Sequence, residues 1–244
     1  MRFNHIFKLT NENETHREYK CDNVNINIDF IGGSALRVAV FNDNAEMLPT
    51  FTVNPNNNLS SLGRSRLSVD GFDCVAPIVE KFENKEKFVL DCGVTVDLDL
   101  NNFILSYSKE SKLLFADRAP LAYNFEGEFG NGSYHYITRE DDEHIFGLGD
   151  KSGLINKAGQ VYRVETADSM GFDAEKTDPL YKHVPFYICE NSVGAYGIYY
   201  DTTDTSFVDL GREINNYYCH FKYFKTDDDC LVYYVFFGSK LSVL

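Results

Sequence analysis

The chain has 244 residues, 43% hydrophobic and 25% charged, with a formal charge of -14. That is an ordinary globular balance, with enough apolar material for one large domain or two small ones. The acidic excess, with no Lys/Arg cluster to override it, argues against nucleic acid and anionic membrane surfaces, since both attract basic patches.

Aromatic residues make up 15%, with 20 Phe and 16 Tyr but no Trp, a bias that favours strands over helices. No apolar run approaches the length of a membrane span. Residues Met1 to Phe7 show neither a sustained apolar core nor a cleavage-like site, so no secretory signal is read there. The six cysteines, Cys21, Cys74, Cys92, Cys189, Cys219 and Cys230, form no CxxC pair and sit among apolar, strand-like runs. They read as reduced, mostly buried small side chains of a cytoplasmic protein; a secreted protein with scattered disulfides is the rival reading.

In chain order, residues 1–20 read as polar and irregular. Val24-Asn25-Ile26-Asn27-Ile28-Asp29-Phe30 alternates apolar and polar residues and predicts a strand with one buried face. Gly32-Gly33 turns the chain and Leu36 to Phe41 returns it, which predicts a hairpin. A loop is expected at Asn54 to Asn58, and a polar, mobile stretch from Ser60 to Ser68. Lys87 to Leu90 and Val94 to Leu100 resume the two-residue period around Gly93. Strands are then predicted at Phe103 to Tyr107 and Lys112 to Ala116, with a glycine-rich connection from Gly127 to Gly132. Later strands are expected at Gln160 to Val164, Tyr196 to Asp201, Ser206 to Asp209, Tyr217 to Phe224 and Cys230 to Phe237. The total is roughly a dozen strands punctuated by Gly, Asn and Asp, with no helical stripe, no internal repeat and no long linker; the expected fold is one large antiparallel β-sandwich.

The stretch from Ile145 to Ile188 is the most informative. Phe146-Gly147-Leu148-Gly149-Asp150 sets a glycine on each side of one leucine, which predicts a tight bend or backbone packed on backbone. After Val164 comes a loop carrying Asp168, Met170, Phe172 and Asp173. It closes at Asp178-Pro179-Leu180-Tyr181, and Val184 to Ile188 starts a new strand. A long loop held between strands, with carboxylates and exposed apolar groups, suits a binding surface; an ordinary surface loop is the alternative.

This stretch carries a resemblance. FGLGD, the turn ending in Gly159, Thr166-Ala167-Asp168 and Asp178 to Ile188 resemble the N-terminal domain of glycoside hydrolase family 31, which holds α-glucosidases and α-xylosidases. The likeness continues through Ala195 to Asp201, Ser206 to Gly211 and Leu231 to Gly238 in the same order; upstream, Gly33 to Val38 and Phe103 to Tyr107 fit it less specifically. It implies a galactose-mutarotase-like β-sandwich over residues 1–237. Residues 238–244 would then start the connection to a (β/α)8 catalytic barrel that lies outside this chain. It implies a parent enzyme that is a retaining α-glycosidase, an α-glucosidase acting on short α-linked glucosides, with both catalytic aspartates in that barrel. The partners implied are an α-linked oligosaccharide and the barrel itself; self-association is left open. No cofactor is expected.

Other chemistries find no support in the residues. Asp227-Asp228-Asp229 lacks the spaced ligands of a calcium loop and reads as a solvated hairpin turn. The histidines show no HxH or HExxH spacing for zinc. Neither GxSxG nor GxxxxGK[ST] occurs. Asn131-Gly132-Ser133 fits a glycosylation sequon but reads as a turn. No catalytic residue is expected in this chain and no metal site. For substrate binding, the resemblance implies that Asp168 reaches the sugar pocket beyond the cleaved bond; capping of a turn is its competing role. Thr166-Ala167-Asp168 departs from the Asn- or Arg-containing tripeptide common in the family. Met170 and Phe172 are candidates for an apolar wall under a sugar ring, or for packing the loop down. Two other functions share the architecture: a free-standing carbohydrate-binding module, and a mutarotase-like sugar epimerase. The last would need a histidine and a glutamate converging on one sugar face, and no motif supports it.

Overall fold

The computed structural model describes residues 6–55, 63–127, 130–215 and 219–239. The expected loop from Asn56, the first part of the Ser60 stretch and the start of the Tyr217 strand lie outside them.

Among the described residues nineteen strands follow one another along the chain, with no α-helix. The first four are β1 (Lys8–Glu12), β2 (His16–Cys21), β3 (Val24–Ile31) and β4 (Ala35–Asn42). After a long excursion come β5 (Ile78–Lys81), β6 (Lys85–Val89), β7 (Val94–Asp99), β8 (Ile104–Lys109) and β9 (Lys112–Ala116). Then follow β10 (Tyr123–Gly127), β11 (Gly130–Thr138), β12 (His144–Gly147) and β13 (Val161–Val164). The last are β14 (Phe186–Glu190), β15 (Ala195–Tyr200), β16 (Ser206–Asp209), β17 (Ile214–Asn215), β18 (Cys219–Thr226) and β19 (Cys230–Gly238). The count exceeds a dozen partly because residues 8–21 are strands rather than irregular chain. Arg17 and Tyr19 alternate inward there, a pattern masked by the polar residues of an edge hairpin.

The strands form an antiparallel sandwich of two layers. One layer is a single eight-stranded sheet, ordered β1-β2-β3-β4-β19-β15-β14-β12. The other is divided into a five-stranded meander, β5 to β9, and a six-stranded sheet ordered β10-β11-β18-β16-β13, with β17 on β18. The bridge from Asp117 to Ile137 and hydrogen bonds beside it, Arg118 N to Tyr136 O and Thr138 Oγ1 to Ala116 O, link the two halves. The predicted hairpin of β3 and β4 is present, with Ile28 opposite Val38. Pairing of β4 with β19 ties the first hairpin to the end of the fold.

Alternation places the core between the layers. Ile26, Ile28 and Phe30 of β3, and Val94, Val96 and Leu98 of β7, are buried. Aromatic pairs span the layers: Phe30 with Phe88 at 5.0 Å, Phe115 with Tyr196 at 3.9 Å and Tyr200 with Phe224 at 3.6 Å. Each such pair contributes about 0.5–1.5 kcal/mol beyond its buried area. Two polar clusters inside the fold are closed by their own hydrogen bonds, although the buried Tyr107 Oη has no partner among the described residues. Lys222 Nζ donates to both oxygens of Glu143 and to Tyr196 Oη, each at 2.7 Å. His135 lies between Asp117 and Tyr200, 3.0 Å from each.

The outer face of the large sheet is covered by the excursion between β4 and β5. Met47, Val53, Leu67 and Phe72 pack on Ala39, Val232 and Tyr234. The expectation of a polar, mobile stretch fails for its described part, residues 63–68, because Arg66 is buried. Its guanidinium donates to Asp228 at 2.6 and 3.1 Å and to the carbonyls of Leu48 and Asp201. Asp228 is therefore a buried partner, whereas its neighbours Asp227 and Asp229 are solvated as expected. Asn131-Gly132-Ser133 lies in β11 instead of a turn, and Ser133 is fully buried. Cys74, Cys92, Cys189 and Cys230 carry free thiols, and burial pushes Cys189 and Cys230 up to about 12. The side chain of Cys219 lies outside the described residues. No helix among the described residues is long and apolar enough to cross a membrane.

Candidate functional site

The site is built from the FGLGD turn outward. Gly147 ends β12 opposite Tyr187 of β14. From there Gly147, Leu148 and Gly149 adopt φ of 118°, 64° and 69°. A Cβ on Gly147 would lie 2.6 Å from the carbonyl oxygen of Phe186, so only glycine fits this backbone contact. Leu148 accepts a left-handed conformation because its side chain is fully buried in the core. The predicted bend and the predicted close packing of backbones are both present.

The bend aims two loops to the same side. The first, residues 150–160, folds back on β12. Asn156 Oδ1 accepts from the amides of Ile145 and Ala158, and Lys157 N donates to Ile145 O at 2.7 Å. Lys157 is buried over the ring of Tyr162, and burial lowers its pKa. The second loop, residues 165–185, joins β13 to β14. Asp178 anchors it, taking Lys151 Nζ at 2.9 Å and the amide of Arg163 at 2.6 Å. Gly153 N donates to Ala174 O at 2.9 Å and ties the loops together.

Within the second loop the two arms are cross-linked. Ala167 N donates to Leu180 O at 3.1 Å, and Ser169 Oγ to Pro179 O at 2.7 Å. Asp168 stands between these two links, exposed, and accepts from Tyr181 Oη at 3.0 Å. The carboxylate that caps a turn is that of Asp173, which accepts the amide of Glu175 at 2.8 Å. Met170 is 92% exposed and Phe172 59%, so neither packs the loop down. Leu154 and Ile155 on the first loop are exposed as well.

An open cleft of ≈ 620 Å³ lies between the loops, lined by Ser152, Leu154, Tyr162, Glu175 and Asp178 among others. Asp168, Met170 and Phe172 share a loop but do not line that cleft. Sequence reasoning missed Tyr181 as the partner of Asp168, and missed the exposed Leu154 and Ile155 of the first loop. The bond crosses thirteen positions, and no local pattern announces it. Among the described residues no cluster of three or more His, Cys, Asp or Glu could hold a metal, and no histidine lines this cleft.

Residues 25–209 match the model of the glycosyl hydrolase 31 N-terminal galactose mutarotase-like domain. A curated relative, α-glucosidase 2 of Bacillus thermoamyloliquefaciens, is 26% identical over 133 residues, covering 54% of this chain and 16% of that protein. Among solved structures, the GH31 dextranase of Flavobacterium johnsoniae complexed with isomaltotriose superposes with a TM-score of 0.75 at 23% identity, over 96% of this chain and 26% of that one. The cycloalternan-forming enzyme of Listeria monocytogenes, in complex with a pentasaccharide substrate, gives 0.72 at 17% identity, over 96% and 21%. Both structures share the fold, and this chain spans about a quarter or less of each relative. It is a member of the glycosyl hydrolase 31 N-terminal galactose mutarotase-like domain family.

Proposed function

We propose that this chain is the non-catalytic N-terminal domain of a retaining α-glycosidase that acts on short α-linked glucosides in the cytoplasm. Bond cleavage belongs to a barrel elsewhere in the parent polypeptide. The sandwich supports that barrel and lends the 165–185 loop to the substrate pocket, with Asp168 toward the sugar on the leaving side and Met170 and Phe172 as apolar wall. The observation that carries this reading is a set of exposed apolar side chains, Leu154 and Ile155 on one loop and Met170 and Phe172 on the other, with both loops anchored by hydrogen bonds. Large apolar groups held out in water on a rigid support suit a surface that another body covers. The relatives named for α-glucosidase and dextranase activity support an α-linked glucose substrate.

The test uses the full-length polypeptide. Asp168→Ala removes an acceptor for a sugar hydroxyl, and a hydrogen bond to a charged group is worth about 1.5–3 kcal/mol. The specificity constant for maltose should fall by roughly one to two orders of magnitude. An aryl glucoside has no leaving-side sugar and should lose far less. Equal losses on both substrates would return Asp168 to a structural role.

A further inference from the structure

Asp168 is exposed, and an exposed carboxylate on a loop samples several rotamers. Here it is constrained from three directions. The backbone on either side is tied to the opposite arm, through Ala167 N to Leu180 O and Ser169 Oγ to Pro179 O. That arm is itself fixed, because Leu180 is buried and Asp178 is held by Lys151 and the amide of Arg163. The third constraint is on the side chain: Tyr181 Oη donates to Asp168 Oδ1 at 3.0 Å.

We propose that Tyr181 is the positioning residue for Asp168, holding Oδ1 so that Oδ2 is presented to a hydroxyl of the leaving-side sugar of an α-linked glucoside. This rests on the reading of Asp168 given above and extends it to the residue that orients it. Tyr181 contacts no reacting atom. It acts by removing rotamers that Asp168 would otherwise surrender on binding, and such pre-organisation shows as affinity. An exposed phenol suits the task, since a neutral donor can hold one carboxylate oxygen without neutralising the charge that the sugar hydroxyl meets. The bond leaves a signature on its donor: the hydrogen bond to Asp168, together with the carboxylate's charge, raises the phenol above its ordinary value.

The experiment has a kinetic arm and a spectroscopic one. In the full-length polypeptide, Tyr181→Phe should raise KM for maltose about three- to tenfold, the range expected for one hydrogen bond. kcat should change little, and an aryl glucoside should be affected far less. Added to Asp168→Ala, the same substitution should cost nothing further, because its target is gone. In this chain, carbon-13-labelled tyrosine followed by NMR should show the Tyr181 phenol titrating above its ordinary value, and Asp168→Asn should bring it down to about 10. A phenol unmoved by Asp168→Asn, or a loss that adds to that of Asp168→Ala, overturns the proposal. If Asp168→Ala is selective for maltose and Tyr181→Phe is not, the positioning role alone fails. If Asp168→Ala shows no selectivity, the reading of Asp168 fails and the positioning role with it.

Discussion

Asp29 holds two basic side chains at once from inside the large sheet. Its Oδ2 takes Arg37 through Nε at 2.9 Å and Nη2 at 2.6 Å, and its Oδ1 meets His16 Nδ1 at 2.7 Å. Arg37, fully buried, spends its remaining donors on the carbonyls of Arg66, Leu67 and Ser68. A buried charge persists only when paired and hydrogen-bonded in this way. The hydrogen bond to Asp29 raises the pKa of His16, against a burial effect that lowers it, and Glu18 adds to the rise. The folded protein therefore holds the proton more tightly than the unfolded chain, whose histidine titrates at about 6.5. The stabilisation is complete below that value and is lost as the pH rises through the raised one. Urea midpoints should accordingly fall as the pH climbs from about 6.5. His16→Gln should flatten that fall. A slope unchanged in the variant would move the pH dependence to another group.

At the scale of elements, the edges of the two layers near the candidate site are closed by loops. Asn156 and Lys157 occupy the outer edge of β12, and Asp178 with Lys151 that of β13. Blocked edges discourage pairing with another chain, and the same bonds hold the loops still. The FGLGD turn sets both in place. Gly147→Ala would force a Cβ to 2.6 Å from the Phe186 carbonyl at a φ of 118°. It should cost about 2–4 kcal/mol, read as a lowered thermal midpoint, whereas Gly159→Ala meets no atom within 4 Å and answers only for its φ. Equal midpoints for the two variants would remove the backbone contact from the account. This turn was legible in the sequence, because two glycines around one leucine have few other uses. The Arg66 clamp was not. Its partners, Asp201 and Asp228, are distant in the chain, and a lone arginine in a polar stretch looks solvated.

For the whole molecule, two-residue alternation was enough to predict an all-β sandwich, because a strand with one buried face writes its burial into its own residues. The split of the second layer was not legible. It depends on where β9 hands over to β11 around the Asp117 to Ile137 bridge, a choice made by tertiary contacts. The same distinction governs what the molecule can do alone. Retaining glycosidases need two carboxylates about 5–5.5 Å apart, facing each other across a bound sugar. Four of the buried acids are paired with basic side chains: Asp29 with Arg37, Asp117 with His135, Glu143 with Lys222 and Asp228 with Arg66. At the cleft, Asp178 is committed to Lys151 and to the amide of Arg163. An acid locked in an ion pair is a poor proton donor, and one sealed between sheets meets no substrate. This chain, purified without the rest of its parent, should therefore release no nitrophenol from nitrophenyl α-glucoside and no glucose from maltose above a buffer blank. On the proposed reading, the full-length polypeptide assayed in parallel should turn over both. Activity that follows the purified chain through successive columns, and disappears when the chain is removed by antibody, would place the chemistry inside the sandwich.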